Sequence, residues 1–507
     1  METISILFAP FALFDDEFVK TAKRSLSWAF KHGERVFIFS CKENPLELFE
    51  GATVIFDDFW DAQKIAFEIS QACKKSGATT AIFSWIDLPF LNDSLTQELL
   101  CTHAECAAEY TFADGYPYGL SPEIIDGGAA AILSEIAREK NIPATRSALM
   151  SIMKGDINSF EIETVLSGTD FRQLRLSFCL SEPGSKIACH RLAPLLSGNE
   201  DAETISKIAS STPLVLRTIP YCVDVQIFPK GHHKTIYCPE KYGVDFSDFS
   251  AMSVLDFEKI LDSVLSVNPL ATISPSLFGE PLLHPDFLKI AESVVSRGFH
   301  LVIETDGIEV TTDLAQKLSS LPNAKEKIDF IVHLDAFTKE MYSLVRGGTS
   351  VDFEKAVQAV KILSDFFPER VYPQFVRMNE NESELESFYR FWHEKSNPSL
   401  GNVIIRKFDS LCALIQDKKP ADLSPLVRFP CWHQRRDMAI LADGSVPLCR
   451  SAVRSRILGN ALSEGVCEVW NAGNEAFVEH CKAKKSEDFS GINGACGGCD
   501  EFYTFSF

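Results

Sequence analysis

Four cysteines near the end of the chain have the residue type and spacing to hold a metal centre. Cys431 and Cys449 flank Met438-Ala439-Ile440-Leu441-Ala442-Asp443-Gly444, which reads as a short strand entering an Asp-Gly hairpin turn. Cys496-Gly497-Gly498-Cys499 follows. Its C-x-x-C spacing lets two thiolates reach one centre from a tight turn, and the two glycines free the backbone to aim both sulfurs inward. Four thiolates suit either a [4Fe-4S] cluster or structural zinc. Periodicity fades from Arg428 onward, as expected where metal rather than apolar area organises the fold. Cys467 and Cys481 lie outside the pattern, and Cys41, Cys73 and Cys179 read as small core residues.

The rest of the chain has to position these thiols. With 507 residues, 46% of them hydrophobic and 23% charged, it can bury more than one core, which suggests about three domains. A net charge of −21 and a pI near 5.0 oppose attraction to nucleic acid or anionic lipid, so neither nucleic acid nor membrane is expected as a partner. No apolar run approaches the roughly 20 residues that span a bilayer. Met1-Glu2-Thr3-Ile4 puts an acid where a secretory signal needs positive charge. A cytoplasmic protein is expected, in which fifteen cysteines act as ligands or thiols rather than disulfides.

The first 200 residues alternate apolar strands with amphipathic helices. Strands are expected at Ser5–Ala9, Arg35–Ser40, Thr53–Phe56 and Thr79–Ser84, with helices at Glu17–Phe30 before Gly33 and at Asp61–Lys75 before Gly77. This is α/β, with a mostly parallel sheet. Ser181 to Ser211 is rich in Ser, Pro and Gly and reads as a linker. Six further strands follow at Cys222–Phe228, Leu270–Ser274, His300–Glu304, Asp329–Leu334, Val371–Arg377 and Val403–Lys407. Helical patterns lie between them, one with a Ser253/Asp256 capping box and one ending at Gly298. Six βα repeats suit a partial parallel barrel with its site at the C-terminal strand ends, or a doubly wound sheet. The expected domains are 1–200, 212–425 and 426–507.

Cys431, Asp443-Gly444, Cys449, Leu458-Gly459-Asn460, Val469-Trp470-Asn471 and Cys496-x-x-Cys499 together resemble a SPASM domain, the auxiliary-cluster module of radical-AdoMet enzymes. Longer forms of that module carry two clusters on seven or more cysteines. Only four cysteines match here, so the resemblance implies one auxiliary [4Fe-4S] cluster on Cys431, Cys449, Cys496 and Cys499.

The preceding repeats resemble the radical-AdoMet (radical SAM) barrel. Phe278-Gly279-Glu280-Pro281 is similar to the family's Gly-Gly-Glu-Pro segment, which implies that Gly279, Glu280 and Pro281 hold S-adenosyl-L-methionine if it binds. Glu304-Thr305-Asp306-Gly307, His333-Leu334-Asp335-Ala336 and Arg346-Gly347-Gly348 match further segments. The departure follows the first strand. Where the family places C-x-x-x-C-x-x-C, this chain has Gly231, Thr235 and Cys238, with Tyr237 and Pro239 keeping the register. Two of three thiolates are lost, and a hydroxyl is a poor ligand for soft iron. No open iron is then expected, and no deoxyadenosyl radical.

Ile86-Asp87-Leu88-Pro89-Phe90 resembles the Asp-x-Pro segment of sugar nucleotidyltransferases, whose aspartate helps hold magnesium, and Tyr116-Pro117-Tyr118-Gly119-Leu120 resembles cytidylyltransferases. A nucleotidyltransferase-like sheet domain of GT-A or Rossmann-like type is implied. The loop after the first strand has neither the glycine nor the base that binds a triphosphate there. Taken whole, the chain resembles the spiro-SPASM proteins: a nucleotidyltransferase-like domain, a partial (β/α)6 radical SAM-like barrel and a small cysteine-rich SPASM module. The expected function is an iron-sulfur binding or accessory protein acting with a peptide, sugar-nucleotide or protein partner, without conventional AdoMet cleavage. Two rivals stand beside it. One is an active radical enzyme with a cluster on His232, His233 and Cys238; the other is a nucleotidyl- or glycosyltransferase working from the N-terminal domain.

Overall fold

The computed structural model describes residues 2–13, 15–453, 455–486 and 495–504. Two compact units divide the chain, Met1–Leu216 and Arg217–Phe507.

In the first unit the apolar runs become β1 (Thr3–Ala9), β2 (Arg35–Ser40), β3 (Thr53–Phe56), β4 (Thr80–Trp85), β5 (Tyr110–Asp114), β6 (Glu123–Asp126) and β7 (Ile162–Leu166). They form one sheet in the order β3-β2-β1-β4-β6-β5-β7, with β6 antiparallel to its neighbours and every other pair parallel. β1 is buried almost throughout, as a strand covered on both faces must be. The helix Ala62–Ser76 shows how local signals set the ends. The Asp61 carboxylate accepts the Lys64 N–H at 2.7 Å, and Gly77 stops the helix at φ +77°. Between those ends Ile65, Ala66, Ile69, Ala72 and Cys73 face the core.

The expected linker is instead largely helical, Pro183–Leu192 and Ala202–Ser211. Pro183 suits a first helical turn, and Asp201 caps the second helix by accepting the Thr204 N–H at 2.7 Å. Pro183 and Asp201 thus open two short helices that bury Ala188, Leu192, Ile205 and Ala209.

The second unit holds the barrel. Its strands are β8 (Cys222–Val225), β9 (Thr272–Ser274), β10 (His300–Thr305), β11 (Ile328–His333), β12 (Val371–Arg377) and β13 (Ile404–Lys407). A seventh, β14 (Asp437–Ile440), comes from the cysteine-bearing tail. The order is β13-β12-β11-β10-β9-β8-β14, parallel throughout. The run expected to enter a hairpin therefore pairs with the first barrel strand. Its turn does form, with Gly444 at φ +83°, but the strand beyond it, β15 (Ser445–Pro447), pairs with β16 (Ile457–Asn460) in a small separate sheet. A side chain at Gly444 would meet Asn460 and Leu462 at 2.8 Å, which accounts for both the glycine and its distance from Leu458-Gly459-Asn460. The boundary expected near residue 426 falls inside this compact unit, and Val469 and Trp470 belong to the same core as Val223, Ile273 and Leu301. Among the described residues no helix is long and apolar enough to cross a membrane.

Trp470 closes the unit from its far end. The Arg217 guanidinium stacks 3.8 Å from its ring centre, and its indole N–H donates to the Thr218 carbonyl at 2.9 Å. Trp470→Ala is expected to destabilise the second unit by about 3–5 kcal/mol, read as a lowered denaturation midpoint for that unit alone; an unchanged midpoint would show that the tail helix is not part of its cooperative core.

Candidate functional site

The loops at the C-terminal ends of the barrel strands enclose a cavity of about 230 Å³. Acids and bases line it together, which is possible only because they neutralise one another in a poorly solvated space. Glu304, at the end of β10, accepts from His333 Nε2 at 3.0 Å and lies 3.6 Å from Arg406 and 4.0 Å from Arg450. Burial works against its charge, yet the His333 hydrogen bond and the two guanidiniums outweigh it and hold the carboxyl at about 2. Asp224 on β8 stands 3.2 Å from Arg450 but is pushed up to about 6 by its burial.

Gly231, Thr235 and Cys238 all line this cavity, so the positions matched to the lost cysteine triplet do come together. They do not fit a site-differentiated cluster. Glycine and threonine contribute no thiolate, and the Cys238 thiol donates to Glu240 Oε2 at 2.5 Å, with burial and that carboxylate pushing it up to about 12. The two neighbouring histidines face carboxylates. His232 Nδ1 meets Asp306 at 2.8 Å and Nε2 meets Glu309 at 3.0 Å, so both ring nitrogens are engaged by carboxylates. The Asp306 hydrogen bond outweighs desolvation and raises the imidazole to about 9. His233 Nε2 faces Asp352 at 3.3 Å.

Gly279, Glu280 and Pro281 sit at the same mouth, doing structural work. A Cβ on Gly279 would fall 1.8 Å from the Phe228 carbonyl oxygen, so only glycine lets the two loops cross. Glu280, 3% exposed, accepts from Leu282 N at 3.1 Å, Thr305 Oγ1 at 2.8 Å and Asp306 N at 2.8 Å. Burial, then the nearby Asp306 charge, push its carboxyl up to about 8. Pro281 opens the short turn after it. The other matched segments brace one another: Arg346 Nη1 donates to Tyr237 Oη at 2.9 Å and to Asp335 at 3.0 Å. Among the described residues, Gln374 Oε1 and Arg346 Nε, on buried side chains of the cavity wall, have no hydrogen-bond partner. Gln374, Arg406 and Arg450 were not singled out from the sequence. Their signal was a polar residue inside an otherwise apolar strand, or an arginine directly after a cysteine.

The four tail cysteines are brought together. Cys431 is 6% exposed, and burial together with the neighbouring thiols of Cys499, Cys449 and Cys496 pushes it well above the ordinary thiol range; burial, then Cys449 and Cys499, push Cys496 up to about 12. N–H groups point at the sulfurs: Gln434 Nε2 donates to Cys496 at 3.3 Å and the Glu501 amide to Cys499 at 3.4 Å. Soft donors with N–H groups aimed at them suit a thiolate-bound iron centre. The Cys431 amide in turn donates to His480 Nε2 at 3.1 Å, and burial holds that imidazole down at about 4, leaving it neutral to accept. Among the described residues, no three His, Cys, Asp or Glu side chains close on a single ion-sized point. A fifth thiol, Cys412, joins the group: Cys449 and Cys499, then burial, push it well above the ordinary thiol range. It had no spacing partner in the sequence. Cys467 and Cys481 lie on the helix Val466–Ser486, the first of them exposed. Cys222 starts β8, at the end away from the cavity, and its sulfur accepts from Arg436 at 2.6 Å.

In the first unit, Asp87 does not face an open magnesium site. Its carboxylate accepts from Arg146 at 3.1 and 2.7 Å and from the Ser181 amide at 3.0 Å, at 1% exposure, while Arg146 stacks 4.4 Å from the Trp85 ring centre.

Comparison with known proteins places these features. The model of the Radical SAM superfamily matches residues 226–391, and that of an iron-sulfur cluster-binding domain, SPASM, matches residues 431–500. An uncharacterized protein of Treponema pallidum (strain Nichols) is 33% identical over 374 residues, 71% of this chain and 99% of that protein. The mycofactocin maturase MftC of Mycobacterium tuberculosis is 27% identical over 110 residues, 22% of this chain and 27% of its own length. Among solved structures, SuiB of Streptococcus suis bound to its precursor peptide SuiA aligns at TM-score 0.42 and 13% identity, over 56% of this chain and 75% of that one. A cytidylyltransferase of Leptospira borgpetersenii aligns at 0.35 and 12%, over 43% and 97%. The chain belongs to the radical SAM/SPASM family, whose members bind iron-sulfur clusters and AdoMet.

Proposed function

We propose that this protein carries one [4Fe-4S] cluster on Cys431, Cys449, Cys496 and Cys499, and works as a binding or accessory protein that does not cleave AdoMet in the conventional way. The observation that carries this reading is the state of Cys238: the one surviving position of the barrel triplet is a thiol hydrogen-bonded to Glu240. Bound at the tail, the cluster would supply one-electron chemistry or hold the fold together. The cavity would take a polar partner group, since Gln374 Oε1 needs a donor and Arg346 Nε an acceptor. Peptide, sugar-nucleotide and protein partners all carry such groups. The cavity and the thiols are adjacent along two segments, Leu411 lining the cavity beside Cys412 and Arg450 beside Cys449.

Anaerobically purified protein is expected to be brown, with about four irons and matching sulfide per chain. Replacing Cys496 and Cys499 together with serine should remove the colour and Cys467→Ser should not. Stoichiometric zinc without sulfide would refute the cluster.

Reconstituted with iron and sulfide and reduced with dithionite, the protein should form no 5'-deoxyadenosine from AdoMet above background. Turnover lost on changing His232, His233 or Cys238 would establish the rival, an active enzyme with unusual ligation.

The carboxylate clamp on His232 has its own signature. Its folded value near 9 lies above the ordinary 6.5, so the clamp's stabilisation is complete below about pH 6.5 and is lost as pH rises through about 9. His232→Gln should flatten that part of the stability profile, and imidazole NMR should show the ring protonated at pH 8. A ring neutral at pH 7 would reopen ligation.

A further inference from the structure

The segment after β13 carries a feature that neither barrel packing nor the four-cysteine set requires. Leu411, Cys412 and Ala413 are three consecutive residues in the left-handed region, at φ +49°, +58° and +63°, where only glycine sits without strain. Such a conformation persists only where surroundings impose it, and here they do. Asp409 Oδ2 accepts from Ser451, two residues past Cys449, at 2.6 Å, and Asp409 Oδ1 accepts the Leu411 amide at 2.8 Å. The Ser410 hydroxyl accepts the Ala413 amide at 3.2 Å. On the other side Gly498, between the C-x-x-C sulfurs, leaves room for the loop: a Cβ there would meet Ala413 Cβ at 2.9 Å and the Cys412 carbonyl oxygen at 3.5 Å. Lys407 at the loop's start donates to the Asp500 carbonyl at 2.8 Å and to Glu501 at 2.6 Å. The strained turn is thus pinned to both cysteine segments, and it sets Cys412 between them.

Five thiols stand where four suffice. Resting on the reading that these cysteines hold an iron-sulfur cluster, we propose that Cys412 is an exchange ligand, which takes the iron otherwise held by Cys499 or Cys449. The exchange is redox-neutral: the leaving thiolate gains a proton as its Fe–S bond breaks, and the Cys412 thiol loses one to solvent as its own Fe–S bond forms.

The full-length protein, purified anaerobically, supplies the test. Cys499→Ser should retain at least about half of the wild-type iron, whereas Cys412→Ser/Cys499→Ser and Cys431→Ser should each lose nearly all of it. Equal loss in Cys499→Ser and in the double variant overturns the proposal. Should Cys499→Ser not fold, the wild type still decides the matter. Under brief iodoacetamide treatment and mass spectrometry, about one thiol per cluster site should be modified, with the label divided between Cys412 and its exchange partner. Label confined to Cys412 identifies it as a bystander and overturns the exchange. Wild type holding zinc without sulfide refutes the parent reading instead, so the two failures differ.

Discussion

Four residue pairs in parallel register, Asp437 with Cys222 through Ile440 with Val225, join the cysteine-bearing tail to the first barrel strand. Everything at the strand-end cavity depends on that ladder. It carries the chain onward to Cys449 and Arg450, and Arg450 crosses back to Asp224 on the very strand that the ladder pairs. The buried acids of the cavity therefore receive one of their counter-charges from the tail. A buried carboxylate without such a partner is costly, so barrel and tail cannot be arranged independently. The same register fixes how far the thiols stand from the cavity, because sliding it by one residue would turn Met438 and Ile440 out of the core.

The mouth of the barrel has the outline of a cofactor site with its polar groups turned toward one another. Glu280 spends its oxygens on two amides and a hydroxyl, Asp306 holds His232, and Asp335 holds Tyr237 and Arg346. Such mutual satisfaction is what low dielectric demands of a polar cavity. Among the described residues, Gln374 Oε1 and Arg346 Nε are groups left for a visiting molecule.

The strands were legible from sequence because a parallel sheet covered on both faces writes itself as short apolar runs; Arg35–Ser40 and Val371–Arg377 coincide with their observed limits. The turn at Cys496-Gly497-Gly498-Cys499 was legible because C-x-x-C spacing with two glycines encodes one. Other features had no one-dimensional trace. Cys412 is nineteen residues from the next cysteine and joins the group only through a left-handed turn of ordinary residues. The seventh barrel strand looked like one arm of a hairpin, since pairing partners more than two hundred residues apart leave no local pattern. The segment 181–211 looked like a linker because caps and breakers are the same residue types.

Gly279 shows what such a segment can and cannot report. With the Phe228 carbonyl 1.8 Å from where its first side-chain atom would be, this glycine is fixed by a crossing of two loops and would be required whether or not any small molecule visited the barrel. The fingerprint by which a cofactor pocket is ordinarily recognised is thus also demanded by the scaffold, as joinery. In a barrel of this kind the positions that report on a visiting molecule are those the architecture leaves unconstrained, and a Cβ at Gly231 would meet nothing closer than the His233 carbonyl oxygen at 3.8 Å.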